Sequence, residues 1–147
     1  MSLRERLSDE MKQAMKARDE LRLSTIRLIR SAVKNRDIEL KRELSDQEIV
    51  EAIATLVKQR RESIRLFLDA GRQDLVDKEE RELTVLLEFL PQQLNREEVA
   101  ALVDKAIAES GAQGARDMGK VMKVLMPHVA GRADGKMVSD VVREKLG

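Results

Sequence analysis

Three times along this 147-residue chain a small polar side chain is followed three positions later by a glutamate: Ser2 with Glu5, Ser45 with Glu48, and Asn95 with Glu98. At that spacing the first side chain accepts from an early backbone N–H while the glutamate reaches back to the capping residue's own N–H, so each pair marks a helix start. The spacing predicts helix 1 over 3–17, helix 2 from the Arg18-Asp19 junction to Leu40, and helix 3 over 46–70, stopped by Gly71. Glycine suits a helix end because it adopts positive φ without a steric penalty. Helix 4 is expected over 74–90 and ends before Pro91, which offers no N–H and restricts the residue preceding it. Charged residues make up 37% of the chain and only two prolines occur, so good helix formers dominate and an all-α fold follows.

Pro91-Gln-Gln-Leu-Asn95 reads as the domain boundary, giving an N-terminal unit over 1–92 and a C-terminal unit over 93–147. The first is expected to be a bundle of long antiparallel helices. In the second, Val99, Leu102, Val103, Ala106 and Ile107 repeat at helical spacing, as do Met118, Val121, Met122, Leu125 and Met126, then Val138, Val141, Val142 and Leu146. Three amphipathic stripes in so short a segment make a small three-helix domain. The methionines lie on the second stripe and are assigned to the core rather than to an adaptable binding surface.

Several function classes are excluded by residue type. Cysteine is absent and His128 is the only imidazole, so neither a thiol nucleophile nor a metal site is expected, and no cofactor is called for. No run approaches the roughly 20 apolar residues of a membrane span, and the first residues lack an apolar stretch of signal-peptide length. These features lead to the expectation of a soluble cytoplasmic protein. His128, between Pro127 and Val129, is read as a helix-end residue rather than a titrating switch.

Net charge is +1, but residues 3–42 hold 12 Lys/Arg against 7 Asp/Glu and residues 43–90 reverse those numbers, so the two stretches are expected to face one another. Arg27, Arg30, Lys34 and Lys41 share one face of helix 2. An RNA-tracking stripe is conceivable there, but acidic helix 4, with Glu79, Glu80 and Glu82, is the preferred partner. Glu79 and Glu80 interrupt the apolar stripe of helix 4, and Arg60 or Arg61 of helix 3 should meet them in an ion pair that fixes register. Paired carboxylates can also serve acid/base catalysis, yet no companion nucleophile or base is present and no catalytic residue is assigned.

The segment Gly131-Arg-Ala-Asp-Gly135 carries the most specific pattern. Gly131 is placed to end the helix that carries the second stripe and Asp134 to cap the helix that carries the third, which leaves Arg132 without a structural task beside N–H groups that attract anions. Lys136 sits in a first turn whose dipole favours acids. Together with Lys120 and Lys123, Arg132 and Lys136 form a candidate phosphate-contacting cluster, flanked by the close-approach glycines Gly131 and Gly135. Both phenylalanines lie in the first unit, so a tail site would hold RNA without stacking bases.

Asp117-Met-Gly-Lys120 and Gly131-Arg-Ala-Asp-Gly135 resemble the tail domain of the GatB subunit of tRNA-dependent amidotransferases. Over the whole chain, Leu23-Ser-Thr-Ile-Arg-Leu-Ile-Arg-Ser-Ala-Val33, Lys58-Gln-Arg-Arg-Glu-Ser63, Ala70-Gly-Arg-Gln-Asp-Leu75 and Glu88-Phe-Leu-Pro-Gln-Gln-Leu94 resemble the YqeY family. The resemblance implies a helical unit with a three-helix tail, tRNA as a partner through the tail, and a family-level association with carbon–nitrogen ligation using glutamine as amide donor. The residues that such chemistry needs, a glycine-rich phosphate loop or a metal cluster, are missing here, so an accessory tRNA-binding role is expected. The alternative is a helical adaptor, either pairing with an amidotransferase or another protein or forming a homo-oligomer.

Overall fold

The computed structural model describes residues 1–147, and every regular element is helical: α1 (Leu3–Ala17), α2 (Glu20–Leu40), α3 (Asp46–Asp69), α4 (Gln73–Glu88), α5 (Arg96–Ser110), a 3₁₀ turn (Ala115–Asp117), α6 (Met118–Val129) and α7 (Gly135–Leu146). Two of the three capping signatures form reciprocal boxes, Ser45 with Glu48 and Asn95 with Glu98. At α1 only half the box is made. The Ser2 hydroxyl accepts from the Glu5 N–H at 3.1 Å while the Glu5 side chain stays exposed.

Helix ends follow backbone chemistry. Gly71, at φ 69°, closes α3 with two bonds: Gly71 N–H donates to Leu68 O at 3.1 Å and Arg72 N–H to Phe67 O at 2.9 Å. The same pair of bonds ends α1 and α2, but there the left-handed residues are Arg18 and Lys41, each at φ 56°. α4 ends at Glu88 rather than Leu90, because Phe89 and Leu90 turn inward to donate to Leu86 and Leu87 ahead of Pro91.

The chain divides into two compact units, Met1–Leu90 and Pro91–Gly147. In the first, α1 packs on α2, α3 packs on α4, and α2 also contacts α3 and α4. Ile26 and Ile29 of α2, Ile49 and Ile53 of α3, and Leu86 of α4 are fully buried at its centre. Between α3 and α4, Arg60 donates to Glu79 at 3.0 Å and pairs with Glu82 at 2.8 Å. Glu79 and Glu82, three apart, share a helix face, whereas Glu80 is turned to solvent. Glu82 is only 8% exposed, so this triad sets register and makes loss of Arg60 costly, since a carboxylate would be left buried without its partner.

The expectation that the basic and acidic stretches face one another holds only locally. Arg22 pairs with Glu88 and Arg42 with Glu48. Much of the remaining charge is matched inside the basic stretch itself: Arg4 with Asp37, Arg22 with Glu10, and Arg36 with Glu39. Glu79 and Glu82 of α4 do not serve the Arg27, Arg30 and Lys34 face of α2, because Arg60 takes both.

In the second unit, Val99, Val103 and Ala106 of α5 meet Val121, Leu125 and Val129 of α6 and Val138, Val141 and Val142 of α7. Met118 and Met122 pack against this core. Met126 does not, contrary to the core assignment: the buried stripe passes from Leu125 to Val129, and Met126, on its flank, is 44% exposed.

Candidate nucleic-acid interface

The turn between α6 and α7 is built from its own backbone and from the segment that opens this unit. Pro127 lies within the last turn of α6, where its missing N–H leaves the carbonyl four residues back without a helical donor. Gly131 then takes φ 72°, and Arg132 N–H donates to Val129 O at 2.9 Å. Asp134 caps α7 by accepting from the Lys136 N–H at 3.3 Å. The segment after Pro91 straps this turn: Leu94 N–H donates to Arg132 O at 2.7 Å, and the Gln93 side-chain amide donates to Gly131 O at 2.8 Å. These bonds tie the segment that follows Pro91 to the unit Pro91–Gly147.

Arg132 has a structural task after all. Its guanidinium donates through Nε to Gln92 O and through Nη1 to His128 O, each at 3.3 Å. Those two bonds use two of its five N–H donors and fix the orientation of the charge. Sequence reasoning missed this because the acceptors are backbone carbonyls, which carry no residue-type signature.

The four candidate cations do not form one compact cluster. Lys120 and Lys123 project from the face of α6 opposite Val121, Leu125 and Val129, and both are exposed. Lys120 lies 3.7 Å from Asp117 Oδ1, in a loose pair one helical turn apart, while Lys123 makes no ion pair. At a rise of 1.5 Å per residue, Lys120 stands about 13 Å along α6 from the turn. Arg132 and Lys136 sit at the turn itself, Lys136 exposed at the start of α7. Lys120 and Lys123 thus make one basic patch, and Arg132 with Lys136 another.

The glycines at these places are informative. A methyl group on Gly119 or on Gly135 would meet no atom within 4 Å. Neither has a positive φ, so neither packing nor backbone strain demands glycine there. His128 is exposed, and no group of three or more His, Asp or Glu side chains is disposed to hold a metal. No helix is long and apolar enough to cross a membrane.

Fold and site together define an all-helical protein of two units whose tail turn is cationic and held by backbone bonds, with the buried Glu82 and its neighbour Glu79 committed to an arginine. The chain belongs to the YqeY-like protein family, whose model matches residues 4–146. It is similar to the protein named altered inheritance of mitochondria protein 41, mitochondrial, of Pyrenophora tritici-repentis, at 32% identity over 97% of this chain and 80% of the relative. It is also similar to the proteins of that name in Kluyveromyces lactis, at 37% identity over 70% of the chain, and Saccharomyces cerevisiae, at 37% over 58%. The match spans only 57% and 47% of the length of those two relatives. All three are mitochondrial by name, which overturns the expectation of a cytoplasmic protein.

Proposed function

We propose that this chain is a non-catalytic tRNA-binding accessory protein, linked to tRNA-dependent amidation or translation, whose tail unit contacts the RNA backbone through Lys120, Lys123, Arg132 and Lys136. The observation that carries the reading is the start of α7. Gly135 occupies a first helical position with open space around it, Lys136 follows it, and the Arg132 guanidinium is held in place beside the same turn. Glycine lowers helix stability relative to alanine, so its presence where neither strain nor packing requires it favours close approach of a ligand to the backbone N–H groups. The resemblance of residues 117–135 to an amidotransferase tail supports tRNA as that ligand. Phosphate contacts of this kind read shape and charge rather than sequence.

Fluorescence anisotropy with labelled tRNA tests the reading. Because Arg132 also holds the turn together, the variant is Lys123→Glu with Lys136→Glu, which leaves that clamp intact. Binding is expected to weaken more than tenfold, the salt dependence to become shallower by about one to two units, and the circular dichroism melt to stay unchanged. Affinity that ignores both substitutions would refute the tail site.

A second reading, a helical adaptor or homo-oligomer, draws on the end of α3, where Leu66 is 69% and Leu68 53% exposed. Sizing across a concentration series separates the two. A stable dimer without RNA affinity favours the adaptor.

A further inference from the structure

α1 and α2 leave between them a groove of about 920 Å3 that lies wholly in the first unit. Along its α2 wall run Arg27, Arg30 and Lys34, all exposed and on one helix face, spanning about 10 Å at 1.5 Å per residue. These side chains were expected to be neutralised by α4. The ion pairs of α2 are instead made by Arg22, Arg36 and Asp37. Arg30 Nη1 rests on the Met11 sulfur, a neutral and weak acceptor that leaves the positive charge unbalanced.

Two carboxylates also line the groove. Asp37 is held by Arg4 in a bidentate pair with both contacts at 3.0 Å, so its charge is already answered, and Glu5 alone faces the cations. The groove is therefore positive overall, with the hydroxyls of Ser8 and Ser31 beside the cations. An acidic amphipathic helix would need an apolar seat along the groove, but the floor residues Leu7 and Val33 are only 2% and 4% exposed, and the apolar surface comes from two α1 side chains, Met11, on which Arg30 rests, and Met15, which is 50% exposed. A chain of phosphates needs only the cations and the hydroxyl donors.

We infer that the α1–α2 groove binds the sugar-phosphate backbone of an RNA strand through Arg27, Arg30 and Lys34, as a second contact separate from the tail. The inference rests on the reading of this chain as an RNA-binding protein, though not on the tail site. With no aromatic ring in the groove, recognition is of backbone charge and is indifferent to sequence.

The test uses the full chain, labelled tRNA and two independent variants: the groove set Arg27→Gln, Arg30→Gln, Lys34→Gln and the tail set Lys123→Glu, Lys136→Glu. The groove set is expected to weaken binding at least tenfold and to flatten the salt dependence by about two units, with helicity unchanged. Ser31→Glu, which keeps all three cations, guards against a folding artefact and should weaken binding in the same direction. A groove set that binds like the parent chain overturns this inference even if the tail set fails to bind. Loss in the groove set alone sustains it and removes the tail site instead. Polyglutamate that binds the parent as tightly as tRNA at equal charge, and is lost in the groove set, reassigns the groove to an acidic protein and overturns the RNA reading. A parent chain that binds no tRNA overturns both sites.

Discussion

Glu48 shows how much one side chain can carry. It closes the capping box of α3 and accepts two bonds from Arg42, at 2.7 and 2.8 Å. The Arg42 guanidinium first, then the Ser45 N–H, pull its carboxyl from an ordinary 4.5 to about 2. A depressed folded value means the stabilisation is complete above pH 4.5 and is lost as pH falls through about 2. Glu48→Gln should therefore lower Tm at pH 7, and the difference from the parent chain should vanish between pH 4.5 and 2. A difference that persists unchanged at pH 2 would assign the effect to packing. Arg60 shows the opposite environment, a guanidinium gathered between two carboxylates with its Nε buried and without an acceptor.

At the scale of helices, α1 and α2 end on Arg18 and Lys41 in a conformation that costs an L-residue about 1–2 kcal/mol. Glycine at either position removes that strain and loses part of the gain to chain entropy, for a net stabilisation of about 0.5–1 kcal/mol. Urea denaturation of Arg18→Gly and Lys41→Gly would measure it, and Gly71→Ala should move the other way by a similar amount. These ends also mark where sequence reading reaches its limit. The boxes at Ser45 and Asn95 and the stop at Gly71 were legible because both partners lie within a few residues and their types announce the bond. That Arg60 or Arg61 would meet Glu79 followed from helical register, while the choice of Arg60, and of Glu82 in place of Glu80, needed the face that packing selects. The clamp of Arg132 on Gln92 and His128 was invisible, since any residue supplies a carbonyl. So was the freedom of Arg27, Arg30 and Lys34, since Glu79 and Glu82 are taken by Arg60.

For the molecule as a whole, two cores mean two separately stabilised bodies. The smaller spans Pro91–Gly147, a size at which each closing bond weighs heavily. Its turn depends on Gln92, Gln93 and Leu94, which lie ahead of its first helix. A fragment starting at Arg96 should melt well below one starting at Pro91 when both are followed by circular dichroism. Equal melting would show the strap to be dispensable.

That strap bears on how the protein can be dissected. Residues that look like spare connector between two bodies are the fastening of one of the tail's two cationic corners, so an excision made at the first residue of α5 would discard the part that holds Arg132 in place. Any fusion, protease site or solubility tag meant to isolate the tail belongs upstream of Pro91.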